Sequence, residues 1–241
     1  VQAEPGPLLF ARYAQPPNAL GHCGGDEPRS LLEHVREGVV DPDLIRLERE
    51  FEGAYPYLSL IARENGIGDP LDRRVVEAYW VGNDLLRGVR DGAFADDLAA
   101  RFGSRASRGE RPWLLEAPRR GLPIQHNVHV LSVMPRIGLL RVGLVPTIVE
   151  ALGGCLVRPG RVEAVRPDGL TVVARRLELR DGRLHLGEPI REEVARTTDG
   201  VQPGDWVAIH WGVACDRLET PGRHALARIT GRAIEVAAAT T

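Results

Sequence analysis

Of the seven histidines and three cysteines, the types that could bind a soft metal ion or attack a substrate, six stand out by position: the adjacent pair His22-Cys23, the pair His126 and His129, and the widely separated Cys155 and His210. Cys155 stands just before the turn signal Pro159-Gly160, and apolar residues follow at alternate positions, as in a half-buried strand. Near the C-terminus, Val207, Ile209 and Trp211 alternate with Ala208, His210 and Gly212, which puts His210 on the face opposite the apolar residues. Two strands would then each bring one ligand, Cys155 and His210, to the rim of a small β-barrel. A thiolate suits soft metals and a neutral imidazole suits borderline ones.

The other candidates each have a plainer reading. Leu20 to Asp26 is a Gly-rich loop whose backbone could approach a ligand closely, with His22 and Cys23 as metal ligands or Cys23 as a reactive thiol; otherwise it is a flexible loop whose glycines supply positive φ. Gln125 to Val133 alternates as a strand would. As a helix, it would set His126 and His129 three residues apart on one face, as metal-binding pairs can be. Structural histidines bonded to backbone carbonyls are the alternative. Cys23, Cys155 and Cys215 form no Cys-x-x-Cys pair and are expected to be reduced thiols. Cys215 is expected to be buried, Trp206 and Trp211 to pack the barrel, and His34, His185 and His224 to be solvated.

The elements that must position these residues divide the chain in two. Up to residue 152 the spacing is helical. Pro16-Pro17 ends a short amphipathic turn, and helices start at Pro28, at Asp41-Pro42 with Asp41 as cap, and at Tyr55. A longer helix is expected from Asp69-Pro70 to about Val89, another over Phe94 to Phe102, and an apolar segment over Leu139 to Leu152. Gly153-Gly154 reads as a hinge and domain boundary. Residues 153–241 read as a barrel domain, with strand-like runs at 155–165, 170–179, 183–195 and 206–214, a hairpin turn at Asp181-Gly182, and a final helix from Thr220-Pro221. The fold class expected is α+β: a helical domain over 1–152, of no assigned role, joined to a small OB-like β-barrel closed by a C-terminal helix.

Bulk properties narrow the function. The 241 residues carry a net charge of −2 with no basic-aromatic interleaving, which argues against a nucleic-acid surface. Every basic residue other than histidine is Arg, so no lysine Schiff base or P-loop lysine exists. No apolar run is long enough to span a membrane and no signal-peptide pattern opens the sequence, so a cytoplasmic protein is expected. Neither Gly-x-Ser-x-Gly nor His-Glu-x-x-His nor a nucleotide-binding loop supports an enzyme.

The pattern Cys155-Leu156-x-x-Pro159-Gly160-x-Val162, followed by Gly204-Asp205-x-Val207-x-x-His210-x-Gly212-x-Ala214 and a helix, resembles the HypC/HupF family of [NiFe]-hydrogenase maturation chaperones. The whole chain is also similar to a bacterial family of unknown function found near hydrogenase genes. The first resemblance implies a non-enzymatic accessory chaperone that binds or transfers an Fe(CN)2CO precursor. Its partners would be a HypD-like scaffold protein and a hydrogenase large-subunit precursor. Cys155 would be the iron ligand, His210 its supporting ligand or hydrogen-bond partner, and Pro159-Gly160 the turn that exposes the thiol. The chain departs from the family in that 154 residues precede Cys155, which therefore offers an amide rather than an α-amino group. That departure encloses the site and leaves room for Cys23 or His126 to serve as added ligands. The alternatives are a Cys/His metal-dependent or thiol enzyme and a purely structural assembly subunit.

Overall fold

The computed structural model describes residues 4–25, 28–138 and 146–238. Its centre is α1 (Gly6–Ala19), whose Leu8, Leu9, Phe10, Ala11, Tyr13 and Ala14 are all buried. Around it lie α2 (Pro28–Glu37), α3 (Pro42–Arg49), α4 (Tyr55–Glu64), α5 (Arg73–Trp80), α6 (Asp91–Phe102) and α7 (Glu110–Glu116). The Asp41 carboxylate accepts from the backbone N–H groups of Asp43 and Leu44, as its place before Pro42 predicts.

After the short helix α8 (His126–Val128), a π-turn at His129–Val133 and the helix α9 (Pro146–Cys155), the chain enters the β-rich part. The strands are β1 (Arg158–Val165), β2 (Leu170–Ala174), β3 (Leu177–Arg180), β4 (Arg183–Leu186), β5 (Ile190–Arg196), β6 (Trp206–His210) and β7 (Val213–Arg217). Five of them close a barrel in the order β1-β2-β5-β7-β6, parallel only between β5 and β7, while β3 and β4 form a separate hairpin. Asp181 and Gly182 both have positive φ at the tip of that hairpin, the geometry a two-residue Asp-Gly turn provides. The last helix, α10 (Thr220–Ala238), packs on α8, the π-turn, β1 and β4.

The fold is α+β, with helices preceding an OB-like barrel and a helix ending the chain. Inside the barrel lie Val162, Leu170, Val172, Ala174, Val194, Val201, Val207, Ile209 and Ala214. The alternate residue Ala208 belongs to a second core, which runs from α1 through α10 and takes in Leu156, Val157, Leu177 and Cys215. The face of β6 opposite the barrel interior is therefore covered by helices.

Several expectations change. The α1 helix continues through Pro16 and Pro17 to Ala19, because two missing N–H groups near its end cost only two internal bonds. The long helix expected from Asp69 breaks: Asp72, not Asp69, caps α5, and Gly82 at φ 103 separates it from a 3-10 turn at Asp84–Gly88. Gly153 and Gly154 lie within α9 and form no hinge. Pro159 and Gly160 form no turn; they lie in β1, paired with Ala208 and Val207 of β6. The first part of the apolar segment at 139–152, up to residue 145, lies outside the described residues.

Glu48 of α3 is fully buried, and neither carboxylate oxygen has a hydrogen-bond partner among the described residues. Burial, helped by the charge of Asp69, pushes its pKa up from 4.5 to about 9. The folded protein thus holds a proton that the unfolded chain gives up, so this contribution is complete below about pH 4.5 and is lost as pH rises towards 9. Urea titrations should show the wild type losing about 1.4 kcal/mol per pH unit relative to Glu48→Gln across that window. A pH-independent difference between the two would contradict the buried protonated acid.

Candidate metal centre

Helix α9 ends on Cys155, so the thiol comes from a helix end rather than from a strand. It is half-buried. His126 opens α8 and His210 ends β6. One ligand atom from each of His126, Cys155 and His210 lies within 4.8 Å of the other two. The Cys155 Sγ is 3.9 Å from His126 Nε2. Donor atoms around a tetrahedral zinc-sized ion sit roughly 3.3–3.8 Å apart, given bonds of about 2.0–2.3 Å. Contracting this triangle by about an ångström would therefore form three bonds.

The His210 tautomer is set by the helix beside it. In a helix the N–H of Pro17 would serve the carbonyl of Tyr13, but proline has none. The Tyr13 carbonyl instead accepts from His210 Nδ1 at 2.8 Å. The proton is thereby held on Nδ1, and Nε2 is left with its lone pair, buried and without a well-formed hydrogen bond to any described residue, on a side chain only 1% exposed.

His126 is positioned beside the thiol but carries its proton on Nε2, because the carbonyl oxygen that this nitrogen faces can only accept. Its Nε2 is 2.8 Å from the Cys155 carbonyl oxygen and its Nδ1 is 3.3 Å from the Tyr79 hydroxyl, which also reaches the Gly53 carbonyl at 3.1 Å. With the proton on Nε2, the ring donates to Cys155 and accepts from Tyr79. Binding a metal through Nε2 would break the bond to the Cys155 carbonyl and move the proton to Nδ1, which would then donate to Tyr79 while Tyr79 donates to Gly53. The tyrosine thus supports the ring in both states, as a second layer of ligands does in metal sites.

The electrostatics favour ligand over acid-base behaviour. Burial, and next the proximity of His210, lower the pKa of His126; burial takes that of His210 down to about 4, against the opposing pull of the Tyr13 and Cys155 carbonyls. Both rings are neutral near pH 7, the form that binds metal. Burial pushes the Cys155 thiol up to about 12; the nearby Cys23 adds to this, while the Trp211 indole N–H, which has no well-formed hydrogen bond, favours the thiolate. Trp211 adopts φ 48 in the two-residue turn between β6 and β7, a backbone region that bulky residues seldom occupy. Its ring lies where a Cβ on Gly154 would be, so only glycine permits this approach beside Cys155.

The remaining sequence candidates are not drawn into this triangle. His126 and His129 do turn out helical but part company: His129 Nδ1 meets the Tyr57 hydroxyl at 2.9 Å, and burial lowers its pKa to about 3. The His22 ring stacks on Trp211 at 4.3 Å, and Cys23 is exposed. Trp211 does not pack the barrel interior. Cys215 is fully buried, as expected, and His34 bonds the Ser30 carbonyl and Asp41 rather than water alone.

A family model for a family of unknown function, DUF6390, matches residues 2–241. The chain belongs to that family. No curated protein and no solved structure matches it. In this DUF6390 chain, sequence reasoning missed Tyr13, Tyr79, Gln125 and Asn127. Asn127 bonds the N–H and C=O of Val157 and the Thr230 hydroxyl, while Gln125 caps α8 through the Asn127 N–H and donates to the Trp80 carbonyl. Only Pro17, four residues after Tyr13, carried a readable signal: a carbonyl deprived of its helical donor. Among the described residues no helix is long and apolar enough to cross a membrane.

Proposed function

We propose that this DUF6390 protein holds one soft or borderline transition-metal ion through His126, Cys155 and His210, and that it serves metallocentre assembly as a non-enzymatic accessory chaperone. The observation that carries this reading is the convergence of a thiol and two neutral imidazoles at the helix–barrel junction, with His210 Nε2 buried and without a well-formed hydrogen bond among the described residues. An orphaned buried nitrogen costs about 1–3 kcal/mol, which a purely structural histidine would avoid by pairing. A thiol enzyme is disfavoured, since a Cys155 pKa near 12 leaves almost no thiolate at neutral pH without a metal to displace the proton.

The finer reading is that the centre is the Fe(CN)2CO precursor of a [NiFe] hydrogenase, received from a HypD-like scaffold and passed to the large-subunit precursor. Its support is the sequence pattern around Cys155 and His210. His210 is enclosed, so a centre with three diatomic ligands would enter only from the half-buried Cys155 side. Anaerobic purification followed by elemental analysis and infrared spectroscopy tests both levels. About one transition-metal ion per chain is expected for the coarser reading, and cyanide and carbonyl bands for the finer one. Protein that neither retains nor takes up any ion would end both.

A further inference from the structure

The segment after α1 is built over the site. His22 N–H donates to the Pro17 carbonyl, and the Asn18 side chain donates to the carbonyls of Cys23 and Gly25 at 2.8 and 2.9 Å. Gly24, at φ 84, lies so close to the Phe51 ring and the Asn18 amide that a Cβ would overlap both. The loop is held beside the site by bonds that a closing movement would exchange, and it is tied to the same helix whose Tyr13 carbonyl orients His210. The His22 ring covers Trp211, whose backbone N–H donates to the Gly154 carbonyl next to Cys155. The site below it has three donors, one of them the unpartnered His210 nitrogen, whereas a closed tetrahedral site takes four.

Resting on the metal-binding reading, we propose that Cys23 is the fourth ligand: the exposed thiol meets the ion at the surface and, on binding, its loop closes to complete a Cys2His2 sphere with His126, Cys155 and His210. Cys23 stands outside the three-atom triangle in this structure, so binding must draw the 21–25 segment inward past the His22–Trp211 stack. Each thiol loses one proton as it takes the metal, two per ion in all.

Cobalt(II) added to the full-length, reduced chain is the probe. Wild type should show sulfur-to-cobalt charge transfer from two thiolates. Cys23→Ser should show roughly half that intensity and at least about tenfold weaker binding, and Cys155→Ser should lose most of the binding. In wild type, cobalt should also slow alkylation of Cys23 by iodoacetamide, read by mass spectrometry, and this protection should vanish in Cys155→Ser. A Cys23→Ser spectrum identical to wild type, with Cys23 alkylated at the same rate with and without cobalt, overturns the role of Cys23 and leaves the three-residue site standing. Full cobalt binding by Cys155→Ser overturns the metal reading itself.

Discussion

Replacing Cys155 by Ala should weaken zinc or cobalt binding by a factor on the order of 10²–10³. Structural zinc sites yield about 10–16 kcal/mol from four ligands, so one ligand is worth roughly 2.5–4 kcal/mol. His210→Ala should weaken binding by a similar order, because its Nε2 makes no well-formed hydrogen bond to any described residue and the Tyr13 carbonyl holds the ring in place. The exposed His185→Ala should change nothing. The pH dependence separates the roles. Both imidazoles are already neutral above about pH 5, since His210 sits near 4 and His126 is also depressed, so they release no proton on binding. Cys155, near 12, must lose one. Its contribution makes affinity rise tenfold per pH unit between pH 6 and 8, and every further thiol recruited adds another tenfold per unit. Competition against a chromophoric chelator at several pH values measures both quantities. An affinity flat with pH, unchanged in Cys155→Ala, would rule out a thiolate ligand.

The barrel was legible because its signals are local. Asp181-Gly182 demands a two-residue turn, and the alternation from Val207 to His210 placed the imidazole on the correct face of β6. What lay across that face was not legible, since nothing in a strand says whether its second side meets water or helices; here it meets α1, and the imidazole is sealed in. The same limit applies to Pro159-Gly160, where a turn-forming dipeptide is held straight by pairing with β6. Cys155 and His210 were singled out by type, but His126 rose above His129 only through a tertiary fact: α8 starts beside the end of α9, so the first histidine meets Cys155, its carbonyl at 2.8 Å and its Sγ at 3.9 Å, and the second meets Tyr57. Pro17 shows how a residue with no polar side chain can define a ligand, by leaving a helical carbonyl for a histidine 193 positions further along the chain.

Asn127→Ala should destabilise the fold by about 3–5 kcal/mol. The side chain is fully buried; its Oδ1 accepts from the Val157 N–H at 2.9 Å, and its two Nδ2 hydrogens go to the Val157 carbonyl at 2.8 Å and the Thr230 hydroxyl at 2.7 Å. Truncation leaves both backbone groups of Val157 buried without a partner, at about 1–3 kcal/mol each, and adds a small cavity. Thr230→Val should cost less, about 1 kcal/mol, because the threonine hydroxyl mainly returns its own proton to the Leu226 carbonyl of α10. Urea unfolding of the two single variants and the double variant separates the shared bond from the Val157 pair, and a loss below about 1 kcal/mol in Asn127→Ala would mean that water replaces the clamp. The clamp also sets a distance that the chemistry uses. Asn127 follows His126 directly, and Val157 lies two residues beyond Cys155, so the three bonds that join α10 and the entry to β1 onto α8 also hold the imidazole against the thiol. Asn127→Ala should therefore weaken metal binding even at temperatures where the variant remains folded, whereas Thr230→Val, which spares the Val157 pair, should leave it close to wild type.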